Sequence, residues 1–381
     1  MDTPVNAPDR TARRAVTLAF LANGIAVASF LVRIPDVRDQ LSLREATIGL
    51  LLSGLAVGVV CGLLLAGRIV GRVGSRALTL GGGASIVVLL PLAGFAPNRL
   101  TLVIVLALLG AGSSMMDVGM NAQGVGVERG FGRSIMLGLH GAWSVGTLLG
   151  ALGGSIAMGV GLGVGPHLVL VTLFILLCMV VATPGLRVAD RLDPGTRPRL
   201  ALPRGPLFPL ALVAFAAAVG ESTATDWSGI HLADNLEVAA GRVGWGFVAY
   251  TAAMTVVRLL GDAVVRRAGP GRTVVAGGIS GGIGFIVVAV APALPVALIG
   301  FVLIGLGMGV TVPLAFAAAG KVSDAPGAGV AAVATIGYLA FIIGPVLVGV
   351  TAEAVGLPAA FVGVAVLITV LTTRRQPALS G

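Results

Sequence analysis

The chain has 381 residues, of which 56% are hydrophobic and 11% charged, and its mean hydropathy is +1.03. A water-soluble fold cannot hide that much apolar surface, so the composition excludes an ordinary globular domain and calls for a membrane protein. The net charge of +9 would suit a nucleic-acid binder, but the arginines are spread over many short loops and form no basic segment, so no nucleic acid is expected as a partner.

Near-continuous runs of Val, Leu, Ile, Ala and Gly recur along the whole length, each close to the ~20 residues a helix needs to cross a bilayer. Twelve spans are expected, at 15–32, 46–66, 77–95, 100–125, 135–160, 167–183, 207–232, 243–260, 273–291, 294–319, 330–350 and 357–371. An even number puts both termini on one side. Nineteen of the 25 Lys and Arg fall in the N-terminus, alternate loops and C-terminus. Arg33, Arg38, Arg44, Arg99 and Arg242 fall on the opposite side, and Arg258 lies within a span. This bias places both termini in the cytoplasm of a bacterial-type inner membrane. Arg13-Arg14, an apolar run and Ala26-Val27-Ala28 look like a cleavable signal, but losing that span would leave an odd number, so it is expected to stay.

The chain also repeats itself at an offset of 195 residues. Gly49, Gly74, Gly82, Gly83, Gly110 and Gly112 fall on Gly244, Gly269, Gly277, Gly278, Gly305 and Gly307, and Ala96-Pro97 falls on Ala291-Pro292. Between the two apolar halves lies 184–206, which carries five prolines and five arginines and reads as a cytoplasmic linker. The organisation expected is a six-helix half over 1–183, the linker over 184–206 and a second half over 207–381. Two similar apolar halves are a common plan for membrane transporters.

Polar residues inside the spans are the candidates for chemistry. In span four, Asp117 and Asn121 are four apart and share a face; an acid at mid-helix costs about 2.5–3.5 kcal/mol on insertion scales. His140 and Trp143 lie early in span five. If spans four and five form an antiparallel hairpin turning near Arg129, His140 faces about Gly119 and comes near both. The alternative is a polar clasp between neighbouring helices. In span seven, Glu221 and Asp226 are candidate proton carriers, beside Ser222, Thr225, Trp227 and Ser228. Asp226 could equally lie solvated at the outer surface with His231 and Asp234. Arg258 has a local partner four residues on in Asp262. Asn23 and Tyr338 complete the polar residues expected to face a central cavity.

The loop after span two reads Gly67-Arg68-Ile69-Val70-Gly71-Arg72-Val73-Gly74-Ser75-Arg76, and its repeat partner runs from Gly261-Asp262 to Arg266-Arg267-Ala268-Gly269. These arginines are either topological anchors or a cytoplasmic gate built from Arg68, Arg72, Arg76, Arg258, Asp262, Arg266 and Arg267. The paired loops, the two-times-six layout and the linker resemble the major facilitator superfamily over essentially the whole chain. That family's loop usually has an Asp where this chain has Gly71. Asp117-x-x-x-Asn121-Ala-Gln, followed by His140-x-x-Trp143-Ser, is similar to the YbjJ/MosC branch, which has been associated with rhizopine-type, cyclitol-like solutes. Gly146, Gly150 and Gly154 resemble the glycine pattern of drug–proton antiporters, with Ala151 in place of its proline; small-residue helix packing explains the spacing as well.

The expectation is therefore an all-α membrane protein of the major facilitator fold, with twelve transmembrane helices in two pseudo-symmetric six-helix halves around a central cavity. It would be a monomeric secondary transporter of a small polar organic solute, sugar- or cyclitol-like or cationic. Glu221, then Asp117, then Asp226 would couple it to protons, while Asn23, Asn121, His140, Trp143, Trp227 and Tyr338 would bind solute. Efflux of a toxic compound by antiport and a non-transporting receptor of the same fold are the rivals. Three histidines and two separated cysteines build no metal site, no phosphate-binding loop is present, and no nucleophile–base pair points to an enzyme, so no cofactor is expected.

Overall fold

Helices form wherever the apolar runs lie, because a backbone N–H or C=O in hydrocarbon must be bonded within its own segment. The computed structural model describes residues 7–131, 135–187, 202–323 and 326–374, and among them every regular element is helical. The first part of the chain forms α1 (Ala7–Leu31), a short α2 (Ile34–Leu41), α3 (Glu45–Gly94), α4 (Arg99–Phe131), α5 (Met136–Gly159) and α6 (Val164–Ala182). The rest forms α7 (Leu207–Asp234), α8 (Trp245–Ala268), α9 (Pro270–Ala289), α10 (Leu294–Met308), α11 (Thr311–Val322), α12 (Pro326–Val355) and α13 (Leu357–Thr373).

Among the described residues ten apolar helical segments are long enough to cross a membrane, and α13 is a shorter apolar helix. The 50-residue α3 would run about 75 Å if straight. It breaks at Gly74, where φ is 82° and ψ is 161°, a conformation open to glycine and costly for any side chain. Asn98 starts α4 by accepting the Thr101 amide hydrogen at 2.9 Å. Helix α6 shows what the outer surface is made of. Leu168 and Ile175 are buried, while Leu170, Leu173, Leu177 and Val180 stand exposed on the same helix. Apolar on both faces, it suits lipid and not water.

The chain divides into two compact units, Met1–Arg33 with Gly54–Pro198, and Ile34–Ser53 with Arg199–Gly381. In the first, α5 lies along α1 because glycines let the backbones meet: a Cβ on Gly146 would strike the Leu21 carbonyl oxygen, and one on Gly150 would come within 2.7 Å of the Ile25 oxygen. The antiporter-like glycine spacing is thus accounted for by packing on α1. In the second unit, Leu210, Val213 and Ala214 of α7 pack against Val274, Ala315, Ala319 and Val333.

Helix α2, a stretch expected to be loop, belongs to the second unit. Arg38 forks onto Asp234 at the end of α7, with Nη2 2.8 Å from Oδ1, and its Nε reaches Asp39 at 3.0 Å. The hydrogen-bonded Asp234 carboxylate pushes the Arg38 pKa further above its ordinary value. Arg44 lies 3.3 Å from Glu353, whose other oxygen accepts the Ala46 amide hydrogen.

The 195-residue echo is an echo of packing. Gly269 has φ 80° and ψ 156°, nearly the conformation of Gly74. A Cβ on Gly110 would strike the Leu55 carbonyl oxygen and lie 3.0 Å from the Val59 nitrogen; one on Gly305 would strike the Tyr250 oxygen and lie 3.0 Å from the Met254 nitrogen. Leu55 and Val59 fall on Tyr250 and Met254 at the same offset. Gly82 abuts the Gly112 oxygen as Gly277 abuts that of Gly307. Gly82 with Gly277, and Gly110 with Gly305, are therefore close-approach points of the same helix pairs in each unit.

Candidate functional site

Each unit carries its own polar cluster. In the first, Asn23 of α1 is 3% exposed and ties three helices. The Trp143 indole N–H of α5 donates to its Oδ1 at 3.1 Å, and its Nδ2 donates to the Ser113 hydroxyl of α4 at 3.2 Å and, at 3.3 Å, to the Ser113 carbonyl. Asn23 and Trp143 were expected at the site, and the hydrogen bonds bring them together with Ser113, which lies one turn before Asp117. Asn23→Leu is expected to leave the Trp143 indole N–H and the Ser113 hydroxyl unpaired, costing about 1–3 kcal/mol. Scanning fluorimetry checks that cost, and an unchanged unfolding midpoint would deny the bridge its weight.

One turn further along α4, Asn121 donates to the Asp117 carboxylate at 3.0 Å and to its carbonyl at 2.9 Å, which confirms the shared face. Leu139 and Met136 of α5 pack on Gly124 of α4, Gly119 abuts Ser75 and Thr79 of α3, and the His140 ring meets Phe20 of α1 edge-on at 5.2 Å. The last contact follows from the glycine seam that draws α5 onto α1. Next to Asn121, Gln123 is fully buried. It donates to Ser75 at 2.7 Å and to the Arg187 carbonyl at 2.8 Å, and accepts the Arg187 amide hydrogen at 2.8 Å. Arg187 also pairs with Asp9 and donates to the Gly126 carbonyl. The residues after α6 are thereby tied to α1, α3 and α4.

In the second unit, Glu221 of α7 faces Arg258 of α8, with Oε1 4.0 Å from Nη2 and side-chain exposures of 23% and 35%. The Arg258 Nε donates at 3.1 Å to the carbonyl of Gly309. That carbonyl sits at the break between α10 and α11, where helix bonding lapses and an outside donor is needed. The expected i, i+4 partner, Asp262, has its side chain outside the described residues. Sequence spacing could offer only that local candidate, because Glu221 and Gly309 are distant along the chain.

Asp226 is 8% exposed and accepts from the Thr225 hydroxyl at 3.1 Å. It is buried, so the solvated-surface alternative fails for Asp226, while Asp234 is the acid that meets Arg38. Trp227 is fully buried against Gly349 of α12, its Nε1 without a partner among the described residues. Tyr338 is half-buried on α12. Tyr250, which sequence reasoning passed over, is fully buried, with its hydroxyl 3.4 Å from the Met254 sulfur.

The loop arginines differ in what they hold. Arg76 donates to the Thr183 carbonyl at 3.2 Å, whereas Arg68, Arg72, Arg266 and Arg267 are exposed. Among the described residues no group of three or more His, Cys, Asp or Glu could hold a metal ion.

A family profile described as Major Facilitator Superfamily matches residues 210–374. An MFS-type transporter of Yersinia pestis is 31% identical over 361 residues, 94% of this chain and 94% of its own. The membrane protein MosC of Rhizobium meliloti is 32% identical over 351 residues, 90% of this chain and 84% of its own. Among solved structures, a mutant form of the nucleoside transporter NupG superposes with a TM-score of 0.79 at 12% identity, covering 95% of this chain and 98% of that one. A bacterial homolog of the human lysosomal transporter Spinster, inward-facing and occupied, gives 0.74 at 14% identity, covering 96% of each. The chain belongs to the major facilitator superfamily, a family of multi-pass membrane transporters, and has its all-helical fold.

Proposed function

We propose that the chain is a secondary active transporter that carries a small polar organic solute by alternating access and is driven by protons. The observation that supports this best is the chain of contacts from Glu221 through Arg258 to the Gly309 carbonyl. A carboxylate within a span is costly and seldom idle. A proton arriving at Glu221 removes the charge that Arg258 meets, and Arg258 in turn holds the break between α10 and α11. Protonation and a change in helix conformation are thereby joined through one side chain. Asp117, held by Asn121, and the buried Asp226 are the second and third candidates for the same role. The solute would be met by Asn23, Asn121, His140, Trp143, Trp227 and Tyr338.

The same reading takes twelve crossings, with α3 supplying two on either side of Gly74 and α10 with α11 supplying one. It divides the chain at 184–206, places both termini in the cytoplasm of an inner membrane on the arginine bias, and makes the functional unit a monomer. A thermal-shift screen against sugars, cyclitols, amines and antibiotics is expected to pick out a polar solute, since a ligand at a hundred times its Kd stabilises by about 2.7 kcal/mol. Counterflow of that solute in right-side-out and inside-out vesicles then separates uptake from efflux. A stabilising solute with no saturable flux in either orientation would overturn transport in favour of a receptor.

A further inference from the structure

Within the first unit, α1, both arms of α3, and α4 enclose an apolar cavity of about 80 Å³. Val27 and Phe30 of α1, Leu55 and Ile86 of α3, and Leu109 and Ser113 of α4 line it. Its wall is nearly all hydrocarbon, and the exception is Ser113. That hydroxyl accepts from Asn23, and its own hydrogen has no acceptor among the described residues. The cavity therefore offers one free donor at the edge of an apolar space, backed by the Asn23–Trp143 bridge.

The second unit treats the equivalent place differently. At the 195-residue offset Leu55, Val59, Ile86 and Ser113 fall on Tyr250, Met254, Gly281 and Met308. Tyr250 and Met254 are buried against each other, and the Met308 methyl lies over Gly281, 2.6 Å from where a Cβ would stand. Carried on to α1, the offset sets Ala26 and Val27 against Glu221 and Ser222. At the equivalent positions the second unit carries large side chains and a carboxylate, whereas the first is apolar and hollow.

We propose that this cavity is a subsite for one short alkyl group of the solute, with an acceptor oxygen next to it that takes the Ser113 hydrogen. An apolar cavity of about 150 Å³ accommodates benzene, so roughly half that space fits about three carbons. The guest is a polar molecule carrying a small alkyl branch beside an ether, hydroxyl or carbonyl oxygen. Calling the guest a transported solute rests on the function proposed above; occupancy of the cavity does not.

The test uses the full chain in lipid nanodiscs with azibutanol, a four-carbon diazirine alcohol, as the probe. Photolabelling should saturate, be competed by isobutanol, and place adducts on α1 around Val27 and on α4 around Leu109. Val27→Phe, which fills the space, should cut these adducts at least about fivefold. Ser113→Ala keeps the space and should weaken isobutanol competition about five- to tenfold, the loss of one hydrogen bond worth about 1 kcal/mol. The second variant decides the matter if the first disturbs folding. Adducts confined to other helices, or competition unchanged by Ser113→Ala, would overturn the subsite. Because labelling is read without flux, a chain that labels here but does not transport keeps the subsite and loses the function, and the reverse result does the opposite.

Discussion

Glu221→Gln is expected to abolish proton-driven accumulation in proteoliposomes while leaving solute counterflow, which needs no proton movement, largely intact. The amide keeps the size and hydrogen-bonding reach of the carboxylate but cannot lose a proton or offset Arg258. Accumulation should fall by roughly tenfold or more if this acid carries the proton, since no other carboxylate meets that arginine among the described residues. The same change leaves a guanidinium without its counter-charge inside a span, which insertion scales put at about 2.5–3.5 kcal/mol for a lone arginine. Stability should therefore drop too, and Arg258→Gln in the same chain should restore part of it, a coupling that a double-mutant cycle measures. Undiminished accumulation by Glu221→Gln would remove Glu221 from the role, and Asp117→Asn and Asp226→Asn would then be compared in the same assay.

The second large effect is expected at the repeated glycines. Gly110→Leu sets a side chain against the Leu55 carbonyl, and Gly305→Leu sets one against that of Tyr250. In both cases the obstacle is backbone, which cannot swing aside, so each should cost about 3 kcal/mol, the upper range for overpacking. Gly153, on the same helix as the seam glycines Gly146 and Gly150, has nothing within 4 Å of a built Cβ. Gly153→Leu should therefore stay within about 0.5 kcal/mol of the parent. Unfolding midpoints in detergent compare the three. If Gly153→Leu is as damaging as Gly110→Leu, the glycines do not mark specific approach points.

Much of the site was legible as an inventory and little of it as geometry. Asn23, Asp117, Asn121, Trp143, Glu221 and Arg258 stand out in the sequence because a polar residue in an apolar run is expensive. Their pairings did not follow. Asp117 with Asn121 could be read because four residues make one helical turn. Asn23 with Ser113 and Trp143, or Arg258 with Glu221 and Gly309, could not, because each joins helices whose neighbours are set by packing. The seam of Gly146 and Gly150 on Leu21 and Ile25, which lays α5 along α1, was likewise set by packing.

By itself the sequence determined that this is an all-helical membrane protein of the major facilitator superfamily, made of two echoing halves. Hydropathy and glycine spacing suffice for that, because lipid permits helices and little else, and because close helix contact selects small residues wherever they occur along the chain. Tertiary structure alone decided which buried polar groups meet, and that α2, with the opening of α3, packs with the second unit. It also decided that the first unit keeps a small apolar cavity among α1, α3 and α4. Those outcomes depend on side-chain volumes meeting across helices far apart in sequence, a quantity that no local period or spacing carries.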